Sequence, residues 1–98
     1  MITHDTYKKV MAAVESEIAL AEGWLLGSKT EDATDARYIL CGMLKRHGLS
    51  SAQIQQVTGL RKSTVNKMLA GLEERLDRRS ITRRWWLQID HKSARLMG

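Results

Sequence analysis

The chain contains no proline, no phenylalanine and only one cysteine among 98 residues. Without proline, no residue lacks a backbone N–H or forces a helix to stop. One cysteine excludes an internal disulfide and any multi-cysteine zinc site, and Cys41 sits in an apolar run where a small thiol packs well. No basic stretch before an apolar core opens the chain, and no apolar segment is long enough to span a bilayer. A cytoplasmic protein with no membrane partner is the expectation. Long runs of β-branched residues are also scarce. What remains is rich in Ala, Leu, Met, Glu, Lys, Arg and Gln, side chains that lose little rotamer freedom in a helix. An all-α fold follows: one small helical domain over residues 1–98, of four to five helices. With 43% hydrophobic residues the chain can bury one modest core.

The charge is unevenly placed. Residues 1–60 carry 6 Lys and Arg against 7 Asp and Glu, whereas residues 61–98 carry 10 against 4. The net charge of +5 therefore resides in the last 38 residues. Concentrated cationic charge raises the local potential and attracts polyanions.

Residues 4–26 form an amphipathic segment with Tyr7, Met11, Val14, Ile18, Ala21 and Leu25 spaced by alternating fours and threes. That is one helical stripe and equally a heptad seam. It can cover the domain's own core, or pair with a second copy to give a homodimer through residues 7–25. Gly27 and Ser28 end this helix, and Ser28 with Glu31 has the spacing of a capping box for the next.

The helical core spans 31–77. Its first helix, about 31–47, carries Tyr38, Ile39, Leu40, Cys41, Met43 and Leu44, apolar nearly all round, which places it in the middle of the domain. Lys45, Arg46 and His47 put cations at its negative carbonyl end, and Gly48 can close it in the left-handed conformation. His47 reads as a helix-end residue. No acidic or cysteine companions stand near any histidine at ligand spacing, so no metal and no cofactor are expected. Ser50 and Gln53 form a capping-box pattern opening a short helix at about 51–57, Gly59 interrupts it, and a further helix runs over about 61–77 on Val65, Met68, Leu69, Leu72 and Leu76.

Two helices joined by a short turn containing Gly mark a helix-turn-helix, here over 51–77. Ile54 should point inward, Gly59 should supply positive φ, Leu60 should plug the gap, and Val65 and Met68 should anchor the second helix. The outward residues Arg61, Lys62, Ser63, Thr64, Asn66 and Lys67 are hydrogen-bond donors on a helix of a size that fits the major groove. Lys62, Asn66 and Lys67 suit base edges; Arg61 and Ser63 suit phosphates.

The stretch "IQQVTGLRKSTVNKML" resembles the helix-turn-helix of many bacterial regulators, in which an isoleucine, a Thr-Gly-Leu turn and a Ser-Thr-Val stretch recur at these intervals. A small residue usually stands at the place of Gln55 in those regulators, and a capping Ser at that of Arg61. A longer resemblance, "DARYILCGMLKRHGLSSAQI" followed by "STV", is to the C-terminal DNA-binding domain of the bacterial replication initiator DnaA. It implies an Arg-containing helix before a Leu-Ser-opened helix and a recognition helix. That family's recognition helix begins Gly-Arg-Asp-His, where this chain has Gly59, Leu60, Arg61 and Lys62. The resemblance therefore implies the scaffold and not the initiator's own DNA box.

The basic tail, 78–98, reads "RRSITRRWWLQIDHKSARLMG". As a helix it puts Ile81, Trp85, Ile89 and Leu96 or Met97 on one side. As a hairpin over 79–89 it would make a winged-helix variant, although it lacks the Gly, Asn or Asp that tight turns favour. Either way Arg78, Arg79, Arg83 and Arg84 gather beside the recognition helix as phosphate clamps, with Trp85 and Trp86 as core and rim residues. Glu73 and Glu74 are expected to partner Arg75, Arg78 or Lys67. No Ser/His/Asp grouping, paired carboxylates or phosphate-binding Gly loop is present, so no enzymatic activity is expected. Two functions remain: binding double-stranded DNA, as a small transcriptional regulator or replication-associated protein, and docking an acidic protein partner on a helix-turn-helix scaffold.

Overall fold

The described residues fold into six helices: α1 (Ile2–Ile18), α2 (Glu22–Gly27), α3 (Glu31–Arg46), α4 (Ser51–Thr58), α5 (Lys62–Arg78) and α6 (Ser80–Met97). The structure, a computed structural model, describes residues 2–20 and 22–97, and the side chains of all of these except Ile2, Glu22 and Met97. Strands are absent among the described residues. The all-α reading holds, with six helices in place of four to five.

Two differences account for the count. The N-terminal segment is not one helix over 4–26. It breaks at Ala19, whose φ is 60° although it has a side chain. That conformation costs roughly 1–2 kcal/mol for an L-residue. A straight helix would carry Leu25 about 10 Å beyond Ile18 along its axis. The break lets α2 fold back on α3 instead, with Leu25 fully buried. Arg37 of α3 holds it there, its guanidinium donating to the carbonyls of Leu25 and Ser28. In the tail, residues 79–89 form no hairpin wing: the chain is extended only at Arg79 and then helical from Ser80.

The stripe on α1 serves the domain's own core. Tyr7, Met11 and Val14 are buried, Ile18 packs against the same cluster, and Ala21 lies outside the described residues. Tyr7, Met11 and Val14 are thus occupied within the domain and do not form a free seam for a second copy.

The core is built around α3, which touches each of the other five helices. Its residues from Tyr38 to Leu44 are all buried, as all-round apolarity predicts. The expected Ser28 cap is displaced by one step. Thr30 is the N-cap, accepting from the Ala33 amide at 3.3 Å, while Ser28 Oγ accepts from the Thr30 amide. With Ala33 at the third position, no side chain reaches back to complete a capping box. At the other end His47 is the C-cap and Gly48 has a φ of 99°. The Leu49 amide then donates to the Leu44 carbonyl at 3.1 Å and the Leu49 side chain is buried. This exit turns the chain into α4.

α6 lies along α1 and closes the bundle. Its inward residues are Thr82, Ile89 and Ser93, flanked by half-buried Trp85 and Trp86, whereas Leu96 is exposed. The inward side is thus rotated slightly from the Ile81–Trp85–Ile89–Leu96 line. Polar ties fix its position: Lys92 Nζ lies 3.4 Å from Glu17 Oε2, Arg46 Nε lies 2.8 Å from Asp90 Oδ1, and His47 Nε2 lies 3.0 Å from Ser93 Oγ. Among the described residues no helix is long and apolar enough to cross a membrane.

Candidate nucleic-acid interface

α4 opens on a complete capping box. Gln53 N donates to Ser50 Oγ at 3.2 Å, and Ser50 N donates to Gln53 Oε1 at 2.8 Å, so two amides that the helix leaves orphaned are satisfied reciprocally. The helix ends at Gly59, whose φ of 76° is costly for any residue with a Cβ. Thr58 ties the turn together: its hydroxyl donates to the Ile54 carbonyl at 2.6 Å and accepts from the Leu60 amide at 3.2 Å. Ile54 is fully buried, and Leu60 packs against the core. Three residues, Gly59 to Arg61, therefore separate α4 from α5.

α5 begins at Lys62 with Arg61 as N-cap, in extended geometry and without a side-chain cap hydrogen bond. Val65 is fully buried and Met68 nearly so, with Leu69 and Leu72 packed on the same cluster. Anchored from below in this way, the helix presents its opposite side. Arg61, Lys62, Ser63, Asn66 and Lys67 are exposed and Thr64 is half-buried. None of the three cations makes an ion pair with another described residue. An ammonium or guanidinium held at a surface without an internal partner is available to an external anion.

Arg78, Arg79, Arg83 and Arg84 divide into two kinds. Arg78 and Arg84 are exposed and unpaired among the described residues. Arg79 is turned inward: it lies 2.7 Å from Asp35 Oδ2, 3.3 Å from Asp32 Oδ1 and 3.7 Å from Glu31 Oε1. Arg83 lies 2.6 Å from Asp77 Oδ1 and 3.8 Å from Glu73 Oε2. A phosphate would have to compete with three carboxylates at Arg79 and two at Arg83. The structure brings Arg61 to Lys67 together on α5 and leaves Arg78 and Arg84 free, but commits Arg79 and Arg83 to the fold. Glu73 partners Arg83 in place of Arg75, Arg78 or Lys67; Glu74 has no ion pair among the described residues.

Sequence reasoning did not find Asp35. It is fully buried on α3 and accepts from Arg75 Nη1 at 3.1 Å, Arg79 Nη1 at 2.7 Å and Thr82 Oγ1 at 2.8 Å. α3, α5 and α6 meet at this carboxylate. The signal was an acid inside a run of core residues, since a buried charge demands partners. α5 consequently has unequal flanks. One carries Glu73 and Asp77, which engage Arg83; the other carries Lys67, Gly71, Arg75 and Arg78 and faces Tyr38 of α3.

No family model, curated protein or solved structure matches the chain.

Proposed function

We propose that this chain binds double-stranded DNA through α4, the turn at Gly59 and α5. One observation carries the reading: the first two turns of α5 project Arg61, Lys62, Asn66 and Lys67 into solvent without internal partners, on a helix locked from beneath by Val65 and Met68. An α-helix fits the major groove of B-DNA, and in helix-turn-helix docking the N-terminal residues of the second helix reach base edges first. Lys62 and Asn66 are placed to read bases; Arg61 and Ser63 suit the flanking phosphates. Arg84 adds a cation whose contribution is to salt-dependent affinity rather than to sequence choice.

The resemblance to bacterial regulators and to the DnaA DNA-binding domain favours the same scaffold and a cytoplasmic role in transcription control or replication. The chain acts by occupying DNA and has no catalytic step. The reading as an adaptor for an acidic protein drew on the α1 stripe, and burial of Tyr7, Met11 and Val14 removes that support.

The test is binding to a random-sequence duplex, followed by anisotropy across a salt series. Affinity should fall steeply with salt, and Lys62→Glu combined with Asn66→Ala should weaken binding at least tenfold without changing the unfolding midpoint. Retention of wild-type affinity by that double variant would remove α5 as the contact helix. Selection from a random duplex pool would then give the site, and symmetry within it would report whether two copies bind together.

A further inference from the structure

The flank of α5 that faces α3 is open. Tyr38 from α3, with Lys67, Gly71, Arg75 and Arg78 from α5, lines a cleft of about 380 Å³. Tyr38 is 8% exposed; its hydroxyl makes no hydrogen bond to another described residue and, since no buried side-chain polar atom among them lacks a partner, it is the part of the side chain that reaches solvent. A phenol whose ring is buried while its O–H reaches solvent in a cleft is a positioned donor that an acceptor from outside can engage in place of water. The ring is fixed from above by the Arg75 guanidinium, 4.7 Å from its centroid, and Arg75 is itself held by Asp35. The phenol therefore cannot swing away without breaking that stack.

Two unpaired cations bracket this donor. Lys67 and Arg78 stand at opposite ends of the cleft, eleven positions apart and so about 16 Å along the helix. Gly71 lies between them, where a Cβ would come 3.4 Å from the Tyr38 ring and where no side chain obstructs the floor. A neutral O–H donor between two cations, over a floor with no side chain, fits an extended anion that touches the protein at several points. Glu74 is the one acid in the lining. It disfavours a densely charged group such as a triphosphate and tolerates singly charged phosphodiesters.

We propose that this cleft seats a stretch of DNA sugar-phosphate backbone, with the Tyr38 hydroxyl donating to a phosphate oxygen and Lys67 and Arg78 pairing with phosphates on either side. The inference rests on the DNA-binding reading and adds a docking direction to it. The duplex backbone runs along the α3-facing flank of α5, while Lys62 and Asn66 on the other flank meet the duplex at the helix start, two turns ahead of the place where Glu73 and Asp77 hold Arg83. Lys67 is thereby a phosphate contact rather than a base reader.

Tyr38→Phe isolates the claim, because it keeps the ring beneath Arg75 and removes only the hydroxyl. Binding of a random-sequence duplex by the full chain should weaken by about tenfold, the scale of one hydrogen bond to a charged acceptor. The salt slope and the unfolding midpoint should stay the same. Arg78→Gln and Lys67→Gln should each weaken binding on every sequence and reduce the salt slope by about one, and Arg83→Gln should do neither. Wild-type affinity in both Tyr38→Phe and Arg78→Gln, alongside loss in the Lys62→Glu, Asn66→Ala variant, would overturn the cleft and leave the DNA reading standing. No duplex binding by the wild-type chain at any salt concentration would overturn both.

Discussion

Arg79 Nη1 lies 2.7 Å from Asp35 Oδ2, joining the junction of α5 and α6 to the middle helix across 44 positions of sequence. Asp35 is fully buried, and Arg75 and Thr82 complete its shell. A buried ion pair contributes little net stability over apolar packing, because desolvation offsets most of the attraction. What this one does is directional. It fixes the roll of α5 about its axis, and so decides which of its flanks is presented. The same carboxylate holds Arg75 over Tyr38, so the posture of α5 and the lining of the cleft beside it depend on one group.

Removing that charge should be costly even if forming the pair is not. Asp35→Asn leaves Arg75 with no carboxylate and should destabilise the domain by about 3 kcal/mol, the low end for breaking a buried pair, because Arg79 keeps Asp32 and Glu31. In thermal unfolding that is a fall of roughly 12–24 °C for a domain of this size. A loss under about 1 kcal/mol in urea titration would mean that the carboxylate does not organise the junction.

Stability and binding should trade against each other at Arg61. It occupies the N-cap of α5 with a φ of −71° and a ψ of 153°, geometry that suits a capping side chain, yet it makes no cap hydrogen bond. Arg61→Ser should raise stability by about 1 kcal/mol by satisfying an orphan amide. It should also weaken DNA binding and reduce the salt slope by about one. Higher stability with unchanged DNA affinity would show that Arg61 does not touch the duplex.

Features that depend on neighbours a few positions apart were legible in the sequence. The Ser50–Gln53 box, the left-handed Gly59, the α5 stripe and the all-round apolarity of α3 are consequences of helical periodicity and capping chemistry, and each stands where the pattern puts it. Exposure of Lys62, Asn66 and Lys67 follows from the same periodicity. The break at Ala19 was hidden because alanine is the best helix former, and the turn is imposed by Leu25 reaching α3. A seam of fours and threes is identical whether it faces a second copy or the chain's own core, so the fate of Tyr7, Met11 and Val14 required the tertiary structure. The division of the tail arginines was hidden for a related reason. Adjacent cations look alike in sequence, and only the position of Asp35 and Asp77 in space separates Arg79 and Arg83 from Arg78 and Arg84.

Alanine should act with opposite signs at two glycines. At Gly42 an added Cβ would collide with Leu72 Cδ2 and approach Trp86 to 3.1 Å, so Gly42→Ala should cost about 1 kcal/mol after its helix-propensity gain is counted. Tryptophan emission should shift, since Trp86 must move. At Gly71 the nearest atom is 3.4 Å away, an ordinary contact, so Gly71→Ala should stabilise by about 0.5–1 kcal/mol. Denaturant midpoints moving in the same direction for both variants would contradict the packing described at the α3–α5 contact.

Cys41 makes the stability of the domain depend on alkaline pH. Burial pushes its thiol from 9.0 up to about 12, while the nearby Arg37 guanidinium pulls weakly the other way. Between those values the unfolded chain has lost a proton that the native protein keeps. Fewer protons are then bound in the unfolded state, so stability falls as pH rises. The contribution is fully present below about pH 9, disappears as the pH climbs through about 12, and has a limiting slope of about 1.4 kcal/mol per pH unit. Cys41→Ala should remove this slope, although the small cavity it leaves lowers stability at every pH. Comparing slopes in urea titrations from pH 8 to 11 separates the two effects, because lysine and tyrosine contributions are shared by both proteins. In the native protein the thiol should also resist alkylation at neutral pH, since the thiolate is the reactive form. Equal slopes in the two proteins, or prompt native-state alkylation, would mean that the site admits the thiolate and that the α3–α5 contact is looser than the 4.0 Å approach of Cys41 Sγ to Met68 Sδ indicates.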